Sequence, residues 1–173
     1  MYNLDYFVKK LSATTAGGAD EEKIKAYQDK LGFVFPSAYL DFVKKFGNLT
    51  YNGRIVLGVS DSEEEDTYKT TMSLLRDIPA FPEGMIVIEN VGVDNNFLLL
   101  DSDGSVYRYA PGSLKRLYNN FDSYIVCDVL QADAIEIAER FTVISELLVE
   151  KYGYHKDWAN WEYRRLSKIY RSA

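Results

Sequence analysis

The stretch FPSAYLDFVKKFGN, residues 35–48, constrains the fold of this chain more than any other. Tyr39, Phe42, Val43 and Phe46 recur at the i, i+3, i+4, i+7 spacing of a single helix face. Proline is favoured at the first helical position, where its missing N–H has no partner to lose. Pro36 therefore reads as the start of a helix and Gly47 as its end. A helix with so aromatic a face is most simply part of a core. Phe33, Val34 and Phe35 are expected to wedge it against a preceding helix. That earlier helix begins at a cap, Asp20, carries an apolar stripe of Ile24, Tyr27 and Leu31, and closes at Gly32 in the left-handed conformation.

The segments that follow read as strands. RIVLGV (54–59), MIVIE (85–89), NFLLLD (96–101) and SVYRY (105–109) are rich in β-branched and aliphatic residues. The tripeptide SDG between the last two marks a hairpin, with Gly104 supplying a positive φ. The unbroken apolar run Phe97–Leu100 implies a strand covered on both faces. Helices are expected over 3–11 and 67–77, with the charged loop DSEEED between the strand at 54–59 and the second of these. The C-terminal third reads as helical, first through Phe121, Ile125 and Val129, then through two longer amphipathic segments that end near Gly153 and Tyr170. Helices, then a strand meander, then helices describe an α+β fold: a single antiparallel sheet packed against N- and C-terminal helices. The expectation is one domain over 1–173, with a core at about 20–130 and a helical extension over 131–173.

A chain of 173 residues buries roughly 70% of its unfolded surface, so it needs no metal or disulfide for stability. The lone cysteine, Cys127, permits no intramolecular disulfide and no cysteine-based zinc site. It reads as a buried structural residue. MYNLDYFVKK places its lysines after the apolar residues, the reverse of a secretory signal, and no apolar run is long enough for a membrane span. A reducing cytoplasm is the expected location. The net charge of −6 disfavours nucleic acid, which needs a basic face to release its counterions, and favours a basic protein partner.

No catalytic set emerges. The single histidine, His155, lies at a helix junction, where an exposed histidine is common. DSDG (101–104) lacks the further donors of a calcium loop, and no glycine-rich phosphate cradle is present. No cofactor is expected. An enzyme would have to rely on His155 or on carboxylates converging from distant segments, and a deep pocket would signal it. The densest charge is SDSEEED (60–66), readable as a solvated loop or as a docking patch.

The order LGFVFPSAYLDFVKKFGN, GRIVLG, MIVIENVGVDNNFLLLDSDGSVYRY resembles the SUKH superfamily, and within it the Smi/Knr-type domain. The matching residues are Leu31, Gly32, Pro36, Tyr39, Phe42, Gly47, Gly58, Gly92, Asp94, Leu100, Asp101 and Gly104, over about residues 20–130. Asn48, Val93 and Phe97 depart from the family pattern, which often has a second glycine, a small residue and a tyrosine there. Bacterial members of the superfamily are mostly immunity proteins that neutralise a cognate polymorphic or contact-delivered toxin, very often a nuclease. Fungal members are regulatory scaffolds in cell-wall synthesis. The resemblance thus implies a non-catalytic protein binder. Its expected partner is a basic toxin, and neither nucleic acid nor membrane. Asp61, Glu63, Glu64, Glu65 and Asp66, with Asp94 and Tyr51, are the expected partner-facing residues, and the alternative is a scaffold module. The oligomeric state is left open.

Overall fold

A computed structural model describes residues 4–92 and 95–131. The helices expected beyond 131, His155 and Asp94 lie outside these residues.

Helix α1 spans Leu4–Lys10 and α2 spans Glu21–Leu31. The Lys23 N–H donates to Asp20 Oδ1 at 2.7 Å, and Gly32 closes α2 at φ 60°, both as the sequence predicts. Helix α3 spans Ser37–Phe46. Pro36 sits one position earlier than expected. It is the extended cap residue, at φ −56° and ψ 148°, and its carbonyl accepts from Leu40 N–H at 2.8 Å. The ring holds that φ, and the absent N–H leaves nothing unsatisfied. Phe33 and Phe35 are buried, but Val34 is 77% exposed. Alternate side chains of an extended connector point opposite ways, so only two of the three can wedge. Tyr39, Phe42 and Phe46 are buried as expected. Tyr39 packs edge-on against Phe35 and Phe121, with ring centroids 5.0 and 5.1 Å apart.

Among the described residues six antiparallel strands follow, and their order in space is their order in sequence. They are β1 Leu49–Tyr51, β2 Arg54–Val56, β3 Met85–Asn90, β4 Phe97–Asp101, β5 Val106–Ala110 and β6 Ser113–Tyr118. β1 and β6 were not anticipated. Asn52 and Gly53, at φ 49° and 75°, make the two-residue turn that joins β1 to β2. That dipeptide is itself a hairpin signal. The strand expected over 54–59 stops at Val56, because Gly58 leaves the sheet to bridge Asp66. At the β4–β5 hairpin Gly104 takes φ 87°, while Asp101 Oδ1 accepts from the Asp103 and Ser105 N–H groups. Phe97 to Leu100 are all buried, so both faces are covered, as the unbroken run implies. Phe97 and Leu99 pack with Leu57, Phe81, Val87 and Tyr109 on one face.

Helix α4, Thr67–Asp77, has the bounds expected from sequence. The Thr67 hydroxyl donates to the Val87 carbonyl at 2.5 Å, and Thr71 Oγ1 accepts from Val87 N–H at 2.9 Å. Two hydroxyls one turn apart thus satisfy β3 where β2 has ended, beside a bulge between Val87 and Glu89.

The helix expected from Phe121 is a short α-turn, α5 (Phe121–Ser123), that continues as a π-helical segment, Tyr124–Val129. Phe121, Ile125 and Val129 are buried as expected, and the wider winding also buries Tyr124 and Val126. Cys127 is exposed, contrary to expectation. The π-winding turns it away from the positions that face the core.

One close contact joins the end of α3 to the segment that follows β2. The Val59 N–H donates to the Gly47 carbonyl at 3.0 Å, and a Cβ on Gly58 would stand 1.6 Å from that same oxygen. Gly47 is also at φ 71°, so both backbones require glycine. Among the described residues, no helix is long and apolar enough to cross a membrane.

Candidate partner-binding surface

The acidic segment is more ordered than a solvated loop. The Gly58 N–H donates to the Glu65 carbonyl at 3.1 Å, and the Thr67 N–H donates to the Gly58 carbonyl at 2.9 Å, closing the segment at its base. Ser62 N–H donates to Ser60 Oγ at 3.1 Å, and Glu63–Glu65 form one 3₁₀ turn.

The five carboxylates of this segment divide into two groups. Asp61, Glu63 and Glu64 face solvent. Lys23 reaches Asp61 at 2.6 Å and holds its carboxyl below the usual aspartate range by hydrogen bonding and charge. Lys69 lies 3.6 Å from Glu63. Such exposed pairs contribute little stability, so these carboxylates stay available to a partner. Glu65 is half-buried and accepts from Asn48 Nδ2 at 2.5 Å. Asp66 is fully buried and cannot face a partner. Its Oδ1 accepts from Lys69 N–H at 2.8 Å, capping α4, and its Oδ2 accepts from the Tyr27 hydroxyl. Burial, reinforced by the Asp66 charge, pushes the Tyr27 phenol well above its ordinary value.

Asp66→Ala is expected to destabilise the chain by about 2 kcal/mol, from the lost cap and the orphaned Tyr27 hydroxyl. Urea unfolding beside Glu64→Ala, which should change little, checks this. Equal stability of the two variants would remove the structural role.

Tyr51 belongs to a different element. It is half-buried at the end of β1, opposite Arg54 in the hairpin.

A second polar cluster was not foreseen. Arg54 on β2 forks onto Glu89 of β3, with Nε–Oε1 at 2.8 Å and Nη2–Oε2 at 2.6 Å. From the π-helical segment the Tyr124 hydroxyl donates to Glu89 Oε2 at 2.6 Å, and Asp128 Oδ2 accepts from Arg54 Nη2 at 3.2 Å. The Arg54 guanidinium is held above its ordinary value chiefly by the Glu89 bond, and burial drives the Tyr124 phenol upward. Glu89 is buried with both oxygens engaged, so it clamps the π-helical segment to the sheet. The cluster brings Glu89 and Asp128 onto one guanidinium, a convergence of carboxylates from positions far apart. Among the described residues, no group of three or more histidine, cysteine or acidic side chains could hold a metal ion.

The SUKH_5 family model, described as "SMI1-KNR4 cell-wall", matches residues 4–131. That span begins earlier than the region carrying the motif resemblance and includes α1. A crystal structure of a protein from Pseudomonas syringae pv. tomato has the same fold, with a TM-score of 0.60 at 15% identity, over 73% of this chain and 98% of that one. No curated protein matches the chain significantly.

Proposed function

Because the chain belongs to the SMI1-KNR4 cell-wall family, we propose that it is a non-catalytic immunity protein that neutralises a basic toxin by direct binding. The observation that carries this reading is the outward presentation of Asp61, Glu63 and Glu64 on a turn whose base is fixed by buried Asp66. A preformed acidic projection steers a basic partner and loses little entropy on binding. A toxin that binds nucleic acid carries the complementary charge.

The test starts with a tagged pull-down from the native cell, eluted with increasing salt. Recovery of a basic toxin-like domain in a one-to-one complex is expected, with co-expression of the chain restoring growth of cells that make the domain. Growth inhibition undiminished by co-expression would overturn the reading. In that complex Glu63→Lys with Glu64→Lys should slow association about tenfold and flatten its salt dependence. Unchanged rates in stopped-flow mixing would remove the acidic turn from the interface. The family's cell-wall description favours a second reading, a regulatory scaffold. Recovery of wall-synthesis proteins alone would select it.

A further inference from the structure

We propose that a cleft between α1, α3 and the α5–π-helical segment receives a cationic, amphipathic segment of the protein partner, a surface distinct from the acidic turn. The inference rests on the reading that the partner is a basic protein. The cleft encloses about 390 Å³, within the range of sites that take small ligands or a few side chains. Helix α3 supplies one wall, with Ala38, Asp41, Phe42, Lys45 and Phe46 on a single helical face. Leu4 and Asp5 of α1 and Ile125 and Val126 of the π-helical segment complete it, beside Asp122 of α5. Phe42, Phe46, Ile125 and Val126 are buried, so they form an apolar floor.

Charge selects the occupant. Three carboxylates, Asp5, Asp41 and Asp122, edge the cleft against one cation, Lys45. Lys45 pairs with Asp5 and so neutralises it. Asp41 and Asp122 are exposed and have no ion-pair partner among the described residues. An apolar floor below two carboxylates that form no salt bridge among the described residues fits a leucine- or phenylalanine-like side chain that enters the floor with an arginine or lysine nearby. A helix presenting both residue types one turn apart has this pattern. An acidic or uncharged peptide would leave the rim unpaired.

The test uses the full chain labelled with ¹⁵N and a short helical peptide of leucine and arginine at amphipathic spacing. The same peptide with glutamate for arginine is the control. Amide shifts are expected over 38–46 and 122–126 with the arginine peptide alone. Ala38→Trp fills the cleft without removing a contact. It and the pair Asp41→Lys/Asp122→Lys should each weaken binding about tenfold, while Glu63→Lys/Glu64→Lys changes it less than about twofold. Shifts centred on 61–65, equal binding of the glutamate peptide, or full affinity in Ala38→Trp would overturn the assignment. A salt-sensitive dimer that covers the cleft and excludes the peptide would also overturn it. If the cleft variants still protect cells from the native partner, the cleft falls while the immunity reading stands. If the wild type protects from none, that reading falls with it.

Discussion

Gly58→Ala is expected to lower stability by about 4 kcal/mol, a loss reserved for a few severe mechanisms. The cause is steric and lies in the backbone. The added Cβ would stand 1.6 Å from the Gly47 carbonyl oxygen and 2.8 Å from its carbon. No rotamer change can relieve it, because the obstructing atoms belong to the end of α3. Moving that carbonyl would break the bond it accepts from Val59 N–H and disturb Asn48, whose side chain binds Ala16 N–H and Glu65. Gly84→Ala is the control. Gly84, unlike Gly58, has a positive φ, 72°, but nothing lies within 4 Å of its added Cβ. It should cost only about 1 kcal/mol of backbone strain. Thermal unfolding should separate the two variants by roughly 10 °C, taking 2–4 °C per kcal/mol for a chain of this size. Melting of both within a degree or two would mean that the backbones do not approach so closely.

Arg54→Ala is expected to cost about 3 kcal/mol, at the lower end for breaking a buried ion pair because the arginine is itself part-exposed. The loss comes from what remains: Glu89 would keep a buried charge with only the Tyr124 hydroxyl against it. Glu89→Leu should cost less, since Arg54 retains Asp128 and a path to water. The double variant Arg54→Ala/Glu89→Leu should recover much of the loss, because two apolar side chains leave no orphan charge. A double-mutant cycle by urea unfolding measures the coupling. Additive effects would show that the fork carries no net interaction. The predicted asymmetry between removing one partner and removing both distinguishes this cluster from an exposed pair.

Much of the fold was readable from local pattern. The bounds of α4 follow from an apolar stripe closed by a proline-bearing loop, and the β4–β5 hairpin follows from Gly104. β6 escaped because its residues are nearly all exposed, so SLKRLY has no alternation to detect. β1 is only three residues long, and its visible mark was the turn after it. The surface was readable less far. Composition located the acidic turn but could not separate Glu64 from Asp66, since Tyr27, far away in sequence, decides that Asp66 is buried. The Arg54 cluster spans separations of 35 and 74 positions, and the cleft draws on three distant segments. Neither leaves a local periodicity.

The sheet order carries a further meaning for chain entropy. Closing a loop costs more as it lengthens, though slowly. β1 with β2, and β3 through β6, are separated by few residues in the chain, so each ribbon closes cheaply on itself. The passage over residues 57–84 is different: it holds the acidic turn and α4 and separates the two ribbons. The closure entropy of the sheet is therefore concentrated at one seam. Direct strand pairing there is thin, with a Val56↔Glu89 register pair and a bond from Leu57 N–H to the Ile88 carbonyl. The Thr67 and Thr71 hydroxyls and the Arg54–Glu89 fork lie along the same seam. Side chains there perform the fastening that a continuous backbone ladder performs elsewhere in the sheet.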